Sequence, residues 1–114
     1  MNKDIVELIL PVGVLEYFEV NNIDKSDESV TIYLEEKNIP PLEYSKMKLT
    51  SKGFHEPIRV KDFPIRGKSC FLKIKRRRWQ VEDSGKIISR DWNMVAKGTR
   101  MTEEFAIFLK GVVG

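Results

Sequence analysis

The sequence predicts a small α+β domain: antiparallel β-hairpins forming a sheet, with short N-terminal helices and one C-terminal helix. Three observations predict it. Apolar residues recur at helical spacing near both ends, and they alternate with polar residues through the middle. The alternating runs are bounded by clusters of Gly, Pro, Asp and Asn. A chain of 114 residues, 41% hydrophobic and 32% charged, has the composition of one globular domain able to bury a core. It reads as a single domain, 1–114, with an acidic helix–hairpin part, 1–40, and a basic ribbon-like hairpin plus helix, 54–112.

The opening stretch, Asp4 to Phe18, carries Ile5, Leu8, Ile9, Val12, Leu15 and Phe18, one apolar stripe on a helix. Pro11 has no N–H and its ring meets the preceding turn, so the stretch predicts two short helices, the second starting at Pro11. A strand from Phe18 to Ile23 follows, then a polar turn, Asp24 to Asp27. In the next run Val30, Ile32 and Leu34 alternate with Thr31, Tyr33 and Glu35, completing a half-buried hairpin. Pro40 and Pro41 end it, since paired prolines donate nothing to a ladder. The polar stretch from Leu42 to Gly53 predicts a loop or a poor helix.

Ile58 and Val60 alternate with Arg59 and Lys61, and Asp62 to Gly67 predicts a turn. From Ser69 to Trp79 the pattern predicts one long strand, with Cys70, Leu72 and Ile74 on one face and Phe71, Lys73, Lys75 and Arg77 on the other. A turn at Asp83–Lys86, with Gly85 where positive φ is cheap, returns the chain as a partner strand from Ile87 to Trp92. Trp79 and Trp92 are expected to face each other across that hairpin. The last helix is predicted from Thr102 to about Gly111, with Thr102 as cap, Glu103 and Glu104 at its positive end, and Phe105, Phe108 and Leu109 as its apolar face.

Several function classes are disfavoured. The longest early apolar run, Ile5 to Leu15, is interrupted by Glu7, Pro11 and Gly13, too short for a bilayer span and without the flanks of a signal peptide. A cytoplasmic protein that meets no membrane is expected. One cysteine, Cys70, makes neither an internal disulfide nor a cysteine zinc site, and reads as a small reduced core side chain. With His55 as the single histidine, no metal-ligand set or Ser/His/Asp triad forms, and no Gly-rich phosphate cradle follows a strand. The acids Asp62, Glu82, Asp83 and Asp91 are scattered singly beside cations. A non-enzymatic protein without a cofactor is expected.

Charge is distributed unevenly. In residues 1–40 three lysines stand against nine acids, a net −6; in 41–114 the other 17 Lys and Arg stand against eight acids, a net +9. Such asymmetry points to a polyanion partner, or to two halves that attract each other within one fold. The strongest local signal is Lys73-Ile74-Lys75-Arg76-Arg77-Arg78-Trp79. Four consecutive basic residues on a strand cannot share one solvent face, and Arg76 and Arg78 fall on the parity of Leu72 and Ile74. Either the strand leaves the sheet there, or both faces meet something acidic: a phosphate backbone or the acidic hairpin. A solvated edge that resists aggregation is the plain structural alternative. Arginine forks suit phosphates and guanine edges, and an adjacent indole can pack on a base. Lys86, Arg90, Lys97 and Arg100 extend the basic set towards the start of the last helix. The candidate nucleic-acid contacts are therefore Lys73, Lys75, Arg76, Arg77, Arg78, Trp79, Lys86, Arg90, Lys97 and Arg100.

Several strings resemble one family. Ile32 to Pro41, Asp62-Phe63-Pro64-Ile65-Arg66-Gly67, Lys75-Arg76-Arg77-Arg78-Trp79, Ser89-Arg90-Asp91-Trp92-Asn93 and Val95 to Phe105 look like the N-terminal regions of bacterial insertion-sequence transposases of the kind common in Bacteroidetes. More distantly, their order is similar to a zinc-ribbon module that precedes a helix-turn-helix in related transposases. That module has cysteines near the positions of Val81 and Ser84, so its metal is not carried over. The resemblance implies recognition of duplex DNA at the element's terminal inverted repeats, with cleavage performed by a separate catalytic region or subunit. A protein-interaction module, whose hairpin Val30–Glu36 docks that basic catalytic partner, and an RNA-binding domain stand as the alternatives.

Overall fold

The computed structural model describes residues 9–11, 13–92 and 109, without the side chain of Phe63. A short helix, α1 (Val14–Tyr17), leads into β1 (Phe18–Lys25) and β2 (Ser29–Glu36). A 3-10 turn at Leu42–Tyr44 precedes β3 (Leu49–Phe54), β4 (Ile58–Ile65), β5 (Lys68–Lys75), β6 (Arg77–Val81) and β7 (Ile87–Ile88). These strands form two sheets, ordered β1-β2-β5-β4 and β3-β6-β7. The expected α+β class is overturned: with seven strands against one four-residue helix, the described molecule is a small β-sheet protein. The helix expected over Thr102–Gly111 lies outside the described residues except for Leu109, whose side chain is fully buried. Most of the first N-terminal helix also lies outside them. The second begins at Val14 rather than Pro11, after Gly13 at φ 87°.

The hairpin β1–β2 forms as its alternation predicts. Ser26 closes its turn: the backbone N–H of Ser29 donates to Ser26 Oγ at 3.1 Å, and the N–H of Ser26 to the carbonyl of Ser29 at 2.9 Å. Beyond the hairpin, the topology departs from a set of adjacent antiparallel pairs. β2 and β5, the two central strands, run parallel, with Ser29 beside Ser69 and Glu35 beside Lys75. β4 then pairs antiparallel with β5 through a two-residue turn, Arg66–Gly67, whose residues both have positive φ, 53° and 79°. That is the signature of a type I′ hairpin connection.

The expected long strand Ser69–Trp79 is broken at Arg76. β5 ends at Lys75 in the larger sheet, and β6 starts at Arg77 in the smaller one. The carbonyl of Arg76 accepts from the His55 N–H at 2.9 Å, anchoring the corner. The break shifts the parity, so Arg77 joins Trp79 and Val81 on the inward side. β3, in a stretch expected to be loop, pairs with β6 from Leu49 opposite Val81.

Each sheet covers its own core. The inner face of the larger sheet presents Val30, Ile32, Leu34, Val60, Cys70, Leu72 and Ile74, packed by Leu10, Val14, Phe18, Trp92 and Leu109. Trp79, Val81 and Ile88 form the smaller core, with Tyr44 and Leu49 at its margin. Trp79 and Trp92 therefore do not face each other. Trp79 is paired with Ile88, while Trp92 stacks on Phe18 at 5.3 Å between ring centroids and meets Tyr17 edge-on at 5.7 Å. Among the described residues no helix is long and apolar enough to cross a membrane.

Candidate nucleic-acid interface

Two constellations emerge from the basic run, and they differ in kind. The first is internal. Val30, Ile32 and Leu34 point into the core, and the same period of two carries Glu36, 1% exposed, to the inward side at the end of β2. Its carboxylate accepts from the Arg77 backbone N–H at 2.9 Å and from Arg90 Nε at 3.1 Å. Arg77 Nε in turn donates to the Glu36 carbonyl at 3.1 Å, and its guanidinium also bonds Ser51 Oγ at 2.5 Å. Arg90 donates to the Ile39 carbonyl, lies 4.8 Å from the Tyr17 ring centroid, and sits within 6 Å of the Trp79 and Trp92 rings. Its side chain is 7% exposed. Arg77 and Arg90 thus tie the two sheets together, and the acid that meets them is the N-terminal hairpin's own.

Burial also holds the Glu36 carboxyl above the usual range, outweighing the downward pull of Arg77 and Arg90. Trp79 is fully buried and donates its indole N–H to Asn38 Oδ1 at 2.9 Å, so it offers no face to a base. Arg76 and Arg78 are half-buried. Arg78 donates to the Lys52 carbonyl at 3.2 Å, and both Arg76 Nε and Arg78 Nε are buried without a hydrogen-bond partner. Burial depresses the Arg76 pKa. His55, whose Nε2 lies 2.6 Å from Ser89 Oγ, is held below its ordinary pKa by burial first and then by Arg76 and Arg78.

The second constellation is open. On the outer face of the larger sheet, β5 presents Phe71, Lys73 and Lys75, and the register places Arg59 beside Lys73 and Lys61 beside Phe71 on β4. All four cations are exposed. They are interleaved with rings. The Arg59 guanidinium lies 3.7 Å from the Phe71 centroid, Lys73 Nζ 5.8 Å from Tyr33, and Lys75 Nζ 5.9 Å from Phe54, whose centroid the Arg77 guanidinium also approaches, at 4.6 Å. The Tyr33 hydroxyl donates to Asp24 Oδ2 at 2.9 Å, a bond that raises its pKa and holds the ring in place. Across β2 and β1 the same face turns acidic, with Glu35, Glu19 and Asp24.

Of the residues proposed from sequence, Lys73 and Lys75 share this open face, while Lys86 is exposed at the β6–β7 turn. Arg77 and Arg90 are held in the internal lock, and Lys97 and Arg100 lie outside the described residues. Sequence reasoning missed Arg59, Lys61 and the three rings. The parity of Arg59 and Lys61 against Val60 was the available signal; their placement beside β5 was not. The acidic hairpin was foreseen as one possible partner of the arginines, and Glu36 supplies it, an acid on the apolar parity of its own strand. A comparison with family models, curated proteins and solved structures matches none of them.

Proposed function

We propose that the chain is a non-catalytic nucleic-acid-binding module, of the kind an insertion-sequence transposase uses to recognise its element's ends. The observation that carries this reading is the set Arg59, Lys61, Lys73 and Lys75, four exposed cations on two neighbouring strands and one face. Sequence-independent affinity for DNA comes from such cations, because each phosphate they neutralise releases a condensed counterion. Four contacts predict a slope of log affinity against log salt of roughly −3.6 for duplex DNA. The measurement is a mobility shift with terminal-repeat DNA over a salt series. Lys73→Ala/Lys75→Ala should reduce the slope by about two contacts, and a flat salt dependence would reject the reading.

A second reading is favoured by the acidic side of the hairpin, where Glu19, Asp27 and Glu28 are exposed. There the hairpin docks a basic partner such as a catalytic subunit. Capture of that subunit, lost on Glu19→Lys/Glu28→Lys, together with failure to shift any DNA, would select it.

A further inference from the structure

We propose that the outer face of β5 is a track for an extended single strand of nucleic acid. This rests on the reading of that face as polyanion-binding and specifies the form of the ligand, in place of the duplex that the family resemblance implies. Along β5 the side chains of Phe71, Lys73 and Lys75 follow one another on one face, about 6.6 Å apart at the rise of a strand. Each is half of a cation–ring pair, with Arg59, Tyr33 and Phe54 as the partners. Charges and rings therefore recur in step along one line. Single-strand binders use that combination: a basic path follows the backbone while rings stack successive bases.

The rings are not core residues. Among the described residues none of Phe71, Tyr33 and Phe54 joins either core cluster, and Phe71 and Tyr33 stand on the face opposite the larger core. At Tyr33 the cation stands near the outer limit of a cation–π contact, which leaves ring surface for a base, whereas Phe54 is also approached by Arg77 at 4.6 Å and serves as the end of the track. At Phe71 the Arg59 guanidinium lies against the ring and itself offers a planar stacking surface. A duplex uses none of this, because its bases are already stacked.

The experiment is fluorescence anisotropy with four probes of equal length, roughly a dozen nucleotides: a single-stranded oligodeoxynucleotide, its RNA counterpart, an abasic deoxyribose-phosphate strand and the blunt duplex. At least one of the two base-bearing single strands should bind at least about tenfold tighter than both the abasic strand and the duplex, and the two sugars distinguish DNA from RNA as the source. Phe71→Ala and Tyr33→Ala should each weaken single-strand binding by roughly fivefold to a hundredfold, leave abasic binding unchanged, and leave thermal unfolding near that of the parent. Phe71→Tyr, which keeps a ring, should retain binding. Duplex binding as tight as single-strand binding, or ring variants that bind like the parent, would overturn the track while leaving the polyanion reading intact. Binding to none of the four probes would overturn both.

Discussion

At Glu36 the burial of a carboxyl group and the bonds it accepts pull its proton affinity in opposite directions. Burial prevails, so the folded protein holds this proton at pH values where the unfolded chain, near 4.5, has already released it. The folded state then binds more protons than the unfolded one, and stability falls as pH rises from 4.5 through the raised folded value. Glu36→Gln cannot titrate. In denaturant unfolding at a series of pH values, the stability gap between parent and Glu36→Gln should move in the variant's favour as pH rises through that window; a constant gap would refute it. His55 acts in the opposite sense. Its folded pKa is depressed, so its contribution is fully present above 6.5 and is lost as pH falls from 6.5 through the lowered folded value, equally in both proteins. Truncation is a different matter from neutralisation. Glu36→Ala leaves the buried Arg90 without its partner and should cost about 3 kcal/mol or more at a pH where Glu36 is ionised. At this scale the sequence was readable for Lys73 and Lys75, whose parity matches their exposure. It was misleading for Trp79 and Arg90, whose surroundings are assembled from residues about 40 and 50 positions away.

The strands show how local pattern and tertiary pairing divide the work. The β1–β2 hairpin follows from alternation, a polar turn and paired prolines, all of them local. β3 was invisible because an edge strand of a three-stranded sheet needs few apolar residues; of its six, only Leu49, Ser51 and Phe54 are even half-buried. The Asp62–Gly67 turn was placed correctly but drawn too long. β4 continues to Ile65 through an irregularity after Asp62, and Pro64 is tolerated there because β4 is an edge strand. The two-residue turn that remains makes a test. A Cβ on Gly67 meets nothing within 4 Å, so Gly67→Ala should cost only the backbone strain of positive φ, about 1 kcal/mol. Arg66→Asn, at φ 53°, replaces a residue poorly suited to that conformation by one that accepts it, and should raise the melting temperature by a degree or more, as about 0.5 kcal/mol does in a domain of this size. Differential scanning calorimetry of the two variants checks both signs.

Taken whole, the molecule turns its opposite charges on each other. The −6 and +9 halves are not separate parts: β2 from the acidic half lies beside β5 from the basic half, and Glu36 clasps Arg77 and Arg90 at the junction of the sheets. Attraction between the two halves was one of the readings the charge asymmetry offered, but its assignment to particular arginines was not legible, because the break at Arg76 resets which side chains turn inward. A double-mutant cycle on Glu36→Gln and Arg90→Met measures the clasp. A coupling of at least about 1 kcal/mol is expected for groups in direct contact, against near zero for Glu36→Gln with Lys73→Met, which face away from each other.

The parallel pairing of β2 with β5 sets the order of assembly. The N-terminal hairpin is made from neighbouring residues and forms early, yet one side of β2 stays without a ladder until residues as distant as Ser69 to Lys75 arrive. Closing that long loop precedes any reward from the contacts it creates, which slows folding. A chain still being synthesised therefore carries an open, apolar strand edge until β5 has left the ribosome, and in that interval it is most exposed to aggregation and in most need of a chaperone.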